Sequence, residues 1–325
     1  MLNKYWLIAT AAIALAATTA PAARVTPQFT SLTVFGDSLV DAGNVLKERG
    51  FPSPVLGYFE GRYTNGYDYT DLISMELFGA PTKASLNGGT NYANGGAKIV
   101  SDTDLYRDLP DQFALYRTAL AGGTADANGL FVLNFGANDI GQGLRGRIGT
   151  YADFESYLRA AATQYAASVK TLNDLGARNI LISAFPDLDD RDTAIRANGY
   201  LNTALDQLSL SGSTTLFRFD YVAFSDSLKA NPSAYGLPPF RTGNCLAARE
   251  QATGCVGFAT FDGYHPTAAV QGAIFQSMNT QFALTATATA VPEPSTWAMM
   301  LAGIGMIGWG MRRKRTTSAG AFVFR

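Results

Sequence analysis

Leu32-Thr33-Val34-Phe35-Gly36-Asp37-Ser38 is the stretch on which the fold turns. Four residues of apolar and β-branched character end in a glycine, which suits a short strand buried on both faces. A serine follows at its carboxyl end, where open α/β sheets bind their ligands. Further runs of the same kind recur along the chain. Leu130–Phe135 (Leu-Phe-Val-Leu-Asn-Phe) is one, Ile180-Leu181-Ile182 another, and Thr214–Phe219 a weaker fourth.

Helical patterns lie between these runs. Phe154, Leu158, Ala161, Tyr165, Val169 and Leu172 repeat at spacings of three and four, with Thr150 as the expected cap and Gly176 as the terminator. A second helix is expected from Thr267, with Val270, Ile274, Met278 and Phe282 on one face. Strands alternating with helices predict an α/β fold, a three-layer α/β/α sandwich with a mostly parallel sheet. No internal repeat and no second domain boundary are visible.

Composition narrows the function classes. The 325 residues carry 25 Lys+Arg, 26 Asp+Glu, two Cys and a single His, with 16% charged residues against a usual ~25%. A chain that is 47% apolar has ample material for a core, which excludes a disordered protein. One His and two Cys exclude His-rich and four-cysteine metal centres. No basic excess is present, so nucleic acid is not an expected partner.

The two ends read as export segments. Residues 1–22 carry Lys4, an apolar stretch from Tyr5 to about Ala17, and Ala20-Pro21-Ala22, the pattern of a secretory signal peptide. Residues 285–290 form a Thr-Ala linker. Val291-Pro292-Glu293-Pro294-Ser295, an apolar run from Trp297 to Met311 and the basic cluster Arg312–Arg315 follow, with a tail at 316–325. The apolar run would span ~22 Å as a helix, just at the lower limit for crossing a membrane when Ser295 and Thr296 are included. The basic cluster would keep its end cytoplasmic and the body outside. Residues 291–315 resemble a PEP-CTERM sorting signal, which implies an exosortase as partner, surface or extracellular location, and transient membrane anchoring; a plain C-terminal anchor is the alternative. Without these ends, 19 basic and 25 acidic side chains remain, a net charge of about −6.

Four polar segments carry the chemistry. Phe35–Asn44 contains Asp37-Ser38 at a strand end and before a helix, where the Ser38 backbone N–H would face a developing anion. Alone, such a turn merely caps a helix. Asn91-Tyr92-Ala93-Asn94-Gly95-Gly96-Ala97 is a Gly-rich turn whose backbone can approach a ligand closely. Gly136-Ala137-Asn138-Asp139 follows the second strand at once. Asp262-Gly263-Tyr264-His265-Pro266-Thr267 places the only His three residues after an Asp and just before a helix. Ser38, Asp262 and His265 therefore form a nucleophile, orienter and base set in chain order Ser, Asp, His.

With these four segments in this order, the chain from about Leu32 to Leu284 resembles the GDSL (SGNH) hydrolase family. Gly61-Arg62-Tyr63-Thr64-Asn65-Gly66 is similar to a Gly-Arg-Phe-Ser-Asn-Gly stretch common in lipase-like members. The resemblance implies a flavodoxin-like sandwich over residues 23–284. It implies Ser38 as nucleophile, His265 as general base and Asp262 as its orienter. It also implies an oxyanion hole of the Ser38 and Gly96 backbone N–H groups and the Asn138 side-chain amide, with no metal or organic cofactor. Gly96 is preferred to Gly95 because the family's glycine lies five residues after the motif's Asn. The expected activity is hydrolysis of carboxylic esters, as esterase or lipase. A carbohydrate O-deacetylase and a surface-binding protein with a decayed site are the alternatives. Aromatic residues in the Phe51–Tyr69 loop suit either lipid chains or stacked sugars.

Two further features complete the reading. Asp187-Leu188-Asp189-Asp190-Arg191-Asp192 has the look of a calcium loop, but it lacks the turn Gly and terminal Glu of an EF-hand and reads as an exposed loop. Cys245 and Cys255 enclose a short segment in a chain read as exported, where a disulfide is expected and two free thiols are the alternative.

Overall fold

Four five-residue strands, β1 (Leu32–Gly36), β2 (Leu130–Asn134), β3 (Asn179–Ser183) and β4 (Thr215–Phe219), pair in the order 1-2-3-4, every pair parallel. The register aligns Val34 with Val132, Val132 with Leu181 and Leu181 with Phe217, so all four strands end along one edge. The computed structural model describes residues 28–285. The helices, in chain order, are α1 (Asn44–Arg49), α2 (Tyr69–Phe78), α3 (Leu109–Leu120), α4 (Ala137–Leu144), α5 (Phe154–Leu175), α6 (Arg191–Asp206), α7 (Tyr221–Ala230), α8 (Cys245–Ala248) and α9 (Ala268–Phe282).

Alternation along the strands divides the core in two. Phe35, Phe131, Leu133, Ile180 and Ile182 point to one face and pack with α3, α5 and α6. Leu32, Val34, Leu130, Val132 and Leu181 point to the other, against α2, α7 and α9. β1, β2 and β3 are covered on both faces, which is why they read as apolar runs, whereas the edge strand β4 is half-buried and carries Arg218. Each fully buried Leu, Ile, Val or Phe contributes ~1.5–3 kcal/mol of transfer free energy. The three-layer α/β/α sandwich expected from the strand and helix pattern is the architecture observed.

Local capping explains where the helices begin, and it corrects two expectations. Helix α5 is capped by Asp153, whose carboxylate accepts from the Ser156 N–H, not by Thr150 three residues earlier; Gly176 does end it, at φ 113°. The acidic segment after β3 is only partly loop. Asp190 accepts from the Thr193 N–H at 2.8 Å and starts α6, so Arg191 and Asp192 are helical. Thr267 caps α9, as its sequence suggests.

The expected signal peptide at 1–22, sorting segment at 291–315, tail at 316–325 and linker beyond Thr285 lie outside the described residues. Among the described residues, no helix is long and apolar enough to cross a membrane.

Candidate active site

Every segment singled out for chemistry meets at the carboxyl edge of the sheet. Ser38 sits in the turn directly after β1, and Asp37 shapes that turn. The Asp37 N–H donates to the Asn134 carbonyl at 3.1 Å, and its carboxyl accepts from the Leu39 N–H at 3.0 Å. Asn134, the last residue of β2, is fixed in turn by the Tyr69 and Tyr221 hydroxyls, which donate to its Oδ1 at 3.0 and 3.1 Å. A buried polar platform thus lies beneath the serine.

His265 reaches Ser38 from the loop before α9. Its Nε2 lies 2.7 Å from Ser38 Oγ, and its Nδ1 lies 2.7 Å from Asp262 Oδ2. Asp262 is itself held at both oxygens. Oδ1 accepts the backbone N–H groups of Tyr264 and His265 at 3.0 and 2.9 Å, and Oδ2 accepts the Tyr58 hydroxyl at 2.9 Å. Burial alone would raise this carboxyl, but the His265 hydrogen bond, its charge and the two N–H donors outweigh it. They hold Asp262 well below the usual carboxylate range. With Asp262 ionised, the favoured tautomer carries its proton on Nδ1, which leaves Nε2 free to accept from Ser38.

The Asp262 loop is braced from below. A disulfide joins Cys245 and Cys255. The N–H groups of Cys245 and Leu246 donate to the carbonyls of Thr260 and Phe261, and Tyr58 packs edge-on to Phe261 at 4.9 Å. Cys245, Cys255, Phe258 and Phe261 form a small core of their own under this loop.

Backbone donors distinguish Gly96 from Gly95. The Gly95 N–H is taken by Asp41 Oδ2 at 2.9 Å, whereas the N–H groups of Ser38 and Gly96 find no acceptor among the described residues. Both lie in the wall of the same cleft. At Gly96, φ is +89°, and a Cβ would approach the Tyr106 ring to 2.9 Å, so side chains are excluded there by both strain and space. Asn138, at the start of α4, donates one amide hydrogen to the Ala97 carbonyl at 2.9 Å. Its second amide hydrogen is unassigned, and its residue lines the cleft too.

The cleft holds about 290 Å³ and is lined by Ser38, Gly96, Asn138 and His265, with Phe51 and Tyr63 from the loop flagged for its aromatic residues. Tyr63 lies over His265 with ring centroids 5.0 Å apart. Its neighbour Arg62 forms a buried two-pronged pair with Asp71 of α2, at 2.6 and 2.9 Å, which anchors the loop. Asp189, from the segment read as a plain exposed loop, also reaches the cleft and accepts the Tyr264 hydroxyl at 2.8 Å.

Sequence reasoning missed Asp41 and Tyr58. Asp41 gathers the N–H groups of Gly43, Asn44 and Val45 as well as Gly95, joining the first two polar segments. Burial pushes its carboxyl up to about 6 despite those donors. Asp41 did stand inside a quoted motif, but nothing in its spacing announces a partner 54 residues away. As for metals, Asp102, Asp104 and Asp108 bring carboxylate oxygens within 4.8 Å of one another. The Lys98 ammonium already occupies their centre, 3.2 Å from Asp102 and 3.6 Å from Asp108.

Asp37 offers a pH test. One of its oxygens is buried with no partner among the described residues, and burial pushes the carboxyl up to about 7, against about 3.9 in an unfolded chain. The native state therefore binds the extra proton, so this stability is complete below about pH 4 and is lost as pH rises through about 7. Asp37→Asn removes the titration. Between pH 5 and 7 its unfolding free energy should fall by roughly 2 kcal/mol less than that of the wild type in urea melts. Equal falls would show that Asp37 is already ionised in the folded protein.

The chain is similar to several known proteins. Lipase 1 of Photorhabdus luminescens is 34% identical over 167 residues, which cover 49% of this chain and 23% of that protein. Thermolabile hemolysin of Vibrio parahaemolyticus is 29% identical over 164 residues, 49% of this chain and 34% of that protein. Phosphatidylcholine-sterol acyltransferase of Aeromonas hydrophila is 28% identical over 253 residues, 72% of this chain and 70% of that protein. The chain thus spans about a quarter to a third of the first two relatives. Residues 290–315 match the PEP-CTERM protein-sorting motif. The GDSL-like lipase/acylhydrolase model matches residues 32–278, from the first residue of β1 to the middle of α9, and so takes in every side chain that meets at the sheet edge: the chain belongs to that family.

Proposed function

We propose that this chain is an exported serine hydrolase that cleaves carboxylic esters through an acyl-enzyme on Ser38. The observation that carries the reading is the continuous relay from Asp262 through His265 to Ser38 Oγ, at 2.7 Å in both steps, beside two N–H groups that have no acceptor among the described residues. His265 Nε2 takes the Ser38 proton as Oγ attacks the ester carbonyl. The carbonyl oxygen becomes an oxyanion that accepts from the N–H groups of Ser38 and Gly96 and from the Asn138 amide. His265 returns the proton to the departing alkoxide. Water, deprotonated by the same nitrogen, then releases the acid and restores Ser38.

A fluorophosphonate probe tests the reading, because it reacts only with an activated serine. Labelling of Ser38 in folded protein, with turnover of p-nitrophenyl esters, is the expected result. An unlabelled protein that hydrolyses no ester would leave a surface-binding protein as the reading. If acetyl release from acetylated polysaccharide is the only turnover, with no tolerance for longer chains, the enzyme is a carbohydrate O-deacetylase instead. Asn138→Ala should lower kcat by about 100–1,000-fold with a much smaller change in KM, since that donor strengthens as charge develops on oxygen. A raised KM with kcat unchanged would assign Asn138 to substrate binding instead.

Export rests on the sequence at both ends and on the sorting-motif match at 290–315. The apolar run from Trp297 to Met311 anchors the chain in the membrane until an exosortase processes it, and the body then faces the cell exterior.

A further inference from the structure

Next to the catalytic cleft lies a second cavity of about 240 Å³, whose lining is more apolar than that of the first. Leu188 of the loop after β3, Phe224 and Leu228 of α7, Phe240, and Val270 and Ile274 of α9 make its lining largely apolar. Its charged groups, Asp187 and Lys229, are paired with each other at 3.1 Å. Water in such a space finds few hydrogen-bond partners and is readily displaced by hydrocarbon.

One side chain belongs to both cavities. Tyr264 lines the cleft beside Ser38 and also the apolar cavity, with its ring edge-on to His265 at 5.2 Å. A single hydrogen bond, from its hydroxyl to Asp189 Oδ2 at 2.8 Å, ties its tip across the cleft. Asp189 and Gly263, just before Tyr264, are both exposed, so neither anchor is packed in the core.

We propose that the apolar cavity behind Tyr264 is the site for the acyl chain of the ester, entered when the Tyr264 ring swings off Asp189. The inference rests on the ester hydrolase reading above. Of the two halves of an ester, the alcohol departs in the first step and needs the open cleft. The acyl half stays on Ser38 until water attacks, and an apolar space separated from the cleft by the Tyr264 side chain suits it. The lining offers no array of fixed donors for a sugar. Each methylene buried there strengthens transition-state binding by about fourfold, so chain length is read by the cavity rather than by the cleft.

Ser225, a small half-buried residue of α7 in the cavity wall, provides the test. Wild type, Ser225→Trp and Tyr264→Ala are assayed on p-nitrophenyl acetate and p-nitrophenyl octanoate, with thermal unfolding to show that each is folded. Ser225→Trp fills the cavity and should lower the octanoate-to-acetate ratio of kcat/KM at least tenfold, while Tyr264→Ala removes the barrier and should raise it. Dodecanoate should inhibit the wild type more strongly than Ser225→Trp. A ratio within about twofold of wild type in both folded variants overturns the proposal. So does an unchanged ratio with an altered elution volume for Ser225→Trp, which would make the cavity a contact between copies. A wild type that neither hydrolyses acetate nor takes the fluorophosphonate fails the hydrolase reading itself, a different result from an active enzyme with an unmoved ratio.

Discussion

Ser38→Ala should abolish fluorophosphonate labelling and lower kcat on p-nitrophenyl acetate by about 10⁶-fold, while the protein stays folded. The size of the loss follows from what the relay does. Without Oγ there is no atom for His265 to activate, so removing the serine forfeits the contribution of His265 and Asp262 as well. The donors of Ser38 N–H, Gly96 N–H and Asn138 remain, because alanine keeps the backbone turn that Asp37 fixes. They leave a residual rate of about 10³–10⁴ over uncatalysed hydrolysis, in which water attacks directly. The structural cost is small. One partly buried hydrogen bond to His265 is lost, worth ~1 kcal/mol, and the site is open enough for water to replace it. Stopped-time hydrolysis and a thermal melt on the same preparation decide the matter. Activity within tenfold of wild type would remove Ser38 from the nucleophile role, whatever the probe labels.

How much of this was legible in the sequence differs from layer to layer. The central strands were, because covering on both faces demands long apolar runs, as in Leu130–Leu133; the half-exposed edge strand β4, with Thr215 and Arg218, reads more weakly. Helix α5 was, because large apolar residues fall on one stripe. Helix α6 was not: its buried stripe of Ala194, Ala197, Leu201 and Leu205 begins with two alanines and is flanked by buried Thr193 and Asn198, so its apolar signal is weak. Its start was hidden in an acidic run where any of several Asp residues could cap. The same ambiguity separated Thr150 from Asp153, two good caps one turn apart; only the Ser156 N–H distinguishes them. At the site, Ser38, Asp262 and His265 stand at strand and helix ends that the local pattern marks. Tyr58 cannot be found that way. Its hydroxyl meets Asp262 across 204 residues, through packing on Phe261 that no local spacing encodes. Similarly, preferring Gly96 to Gly95 by sequence needed a family rule, whereas in the fold Asp41 accepts the Gly95 N–H across 54 residues.

Asp262→Asn should cost about 10⁴-fold in kcat with little change in fold, and the hydrogen bonds around Asp262 say why. An amide has two ends, and the site determines which goes where. The Oδ1 position receives two backbone N–H groups, from Tyr264 and His265, and only a carbonyl oxygen can accept both. The NH₂ of the asparagine is therefore forced to the Oδ2 position, facing His265 Nδ1 and the Tyr58 hydroxyl. There it donates to Nδ1, which must then carry a lone pair, so the imidazole proton moves to Nε2. His265 now points an N–H at Ser38 and has no lone pair to take its proton. Tyr58 reverses its own bond, since a hydroxyl can accept from an amide as readily as it donates to a carboxylate. The variant thus keeps its contacts and loses the base. Asp262→Ala separates this account from simple loss of charge. With no group to dictate the tautomer, His265 can hold its proton on either nitrogen, so Asp262→Ala should retain more activity than Asp262→Asn. If the alanine variant is instead the slower of the two, orientation and charge at Oδ2 matter more than the tautomer, and the backbone donors do not hold the amide as argued.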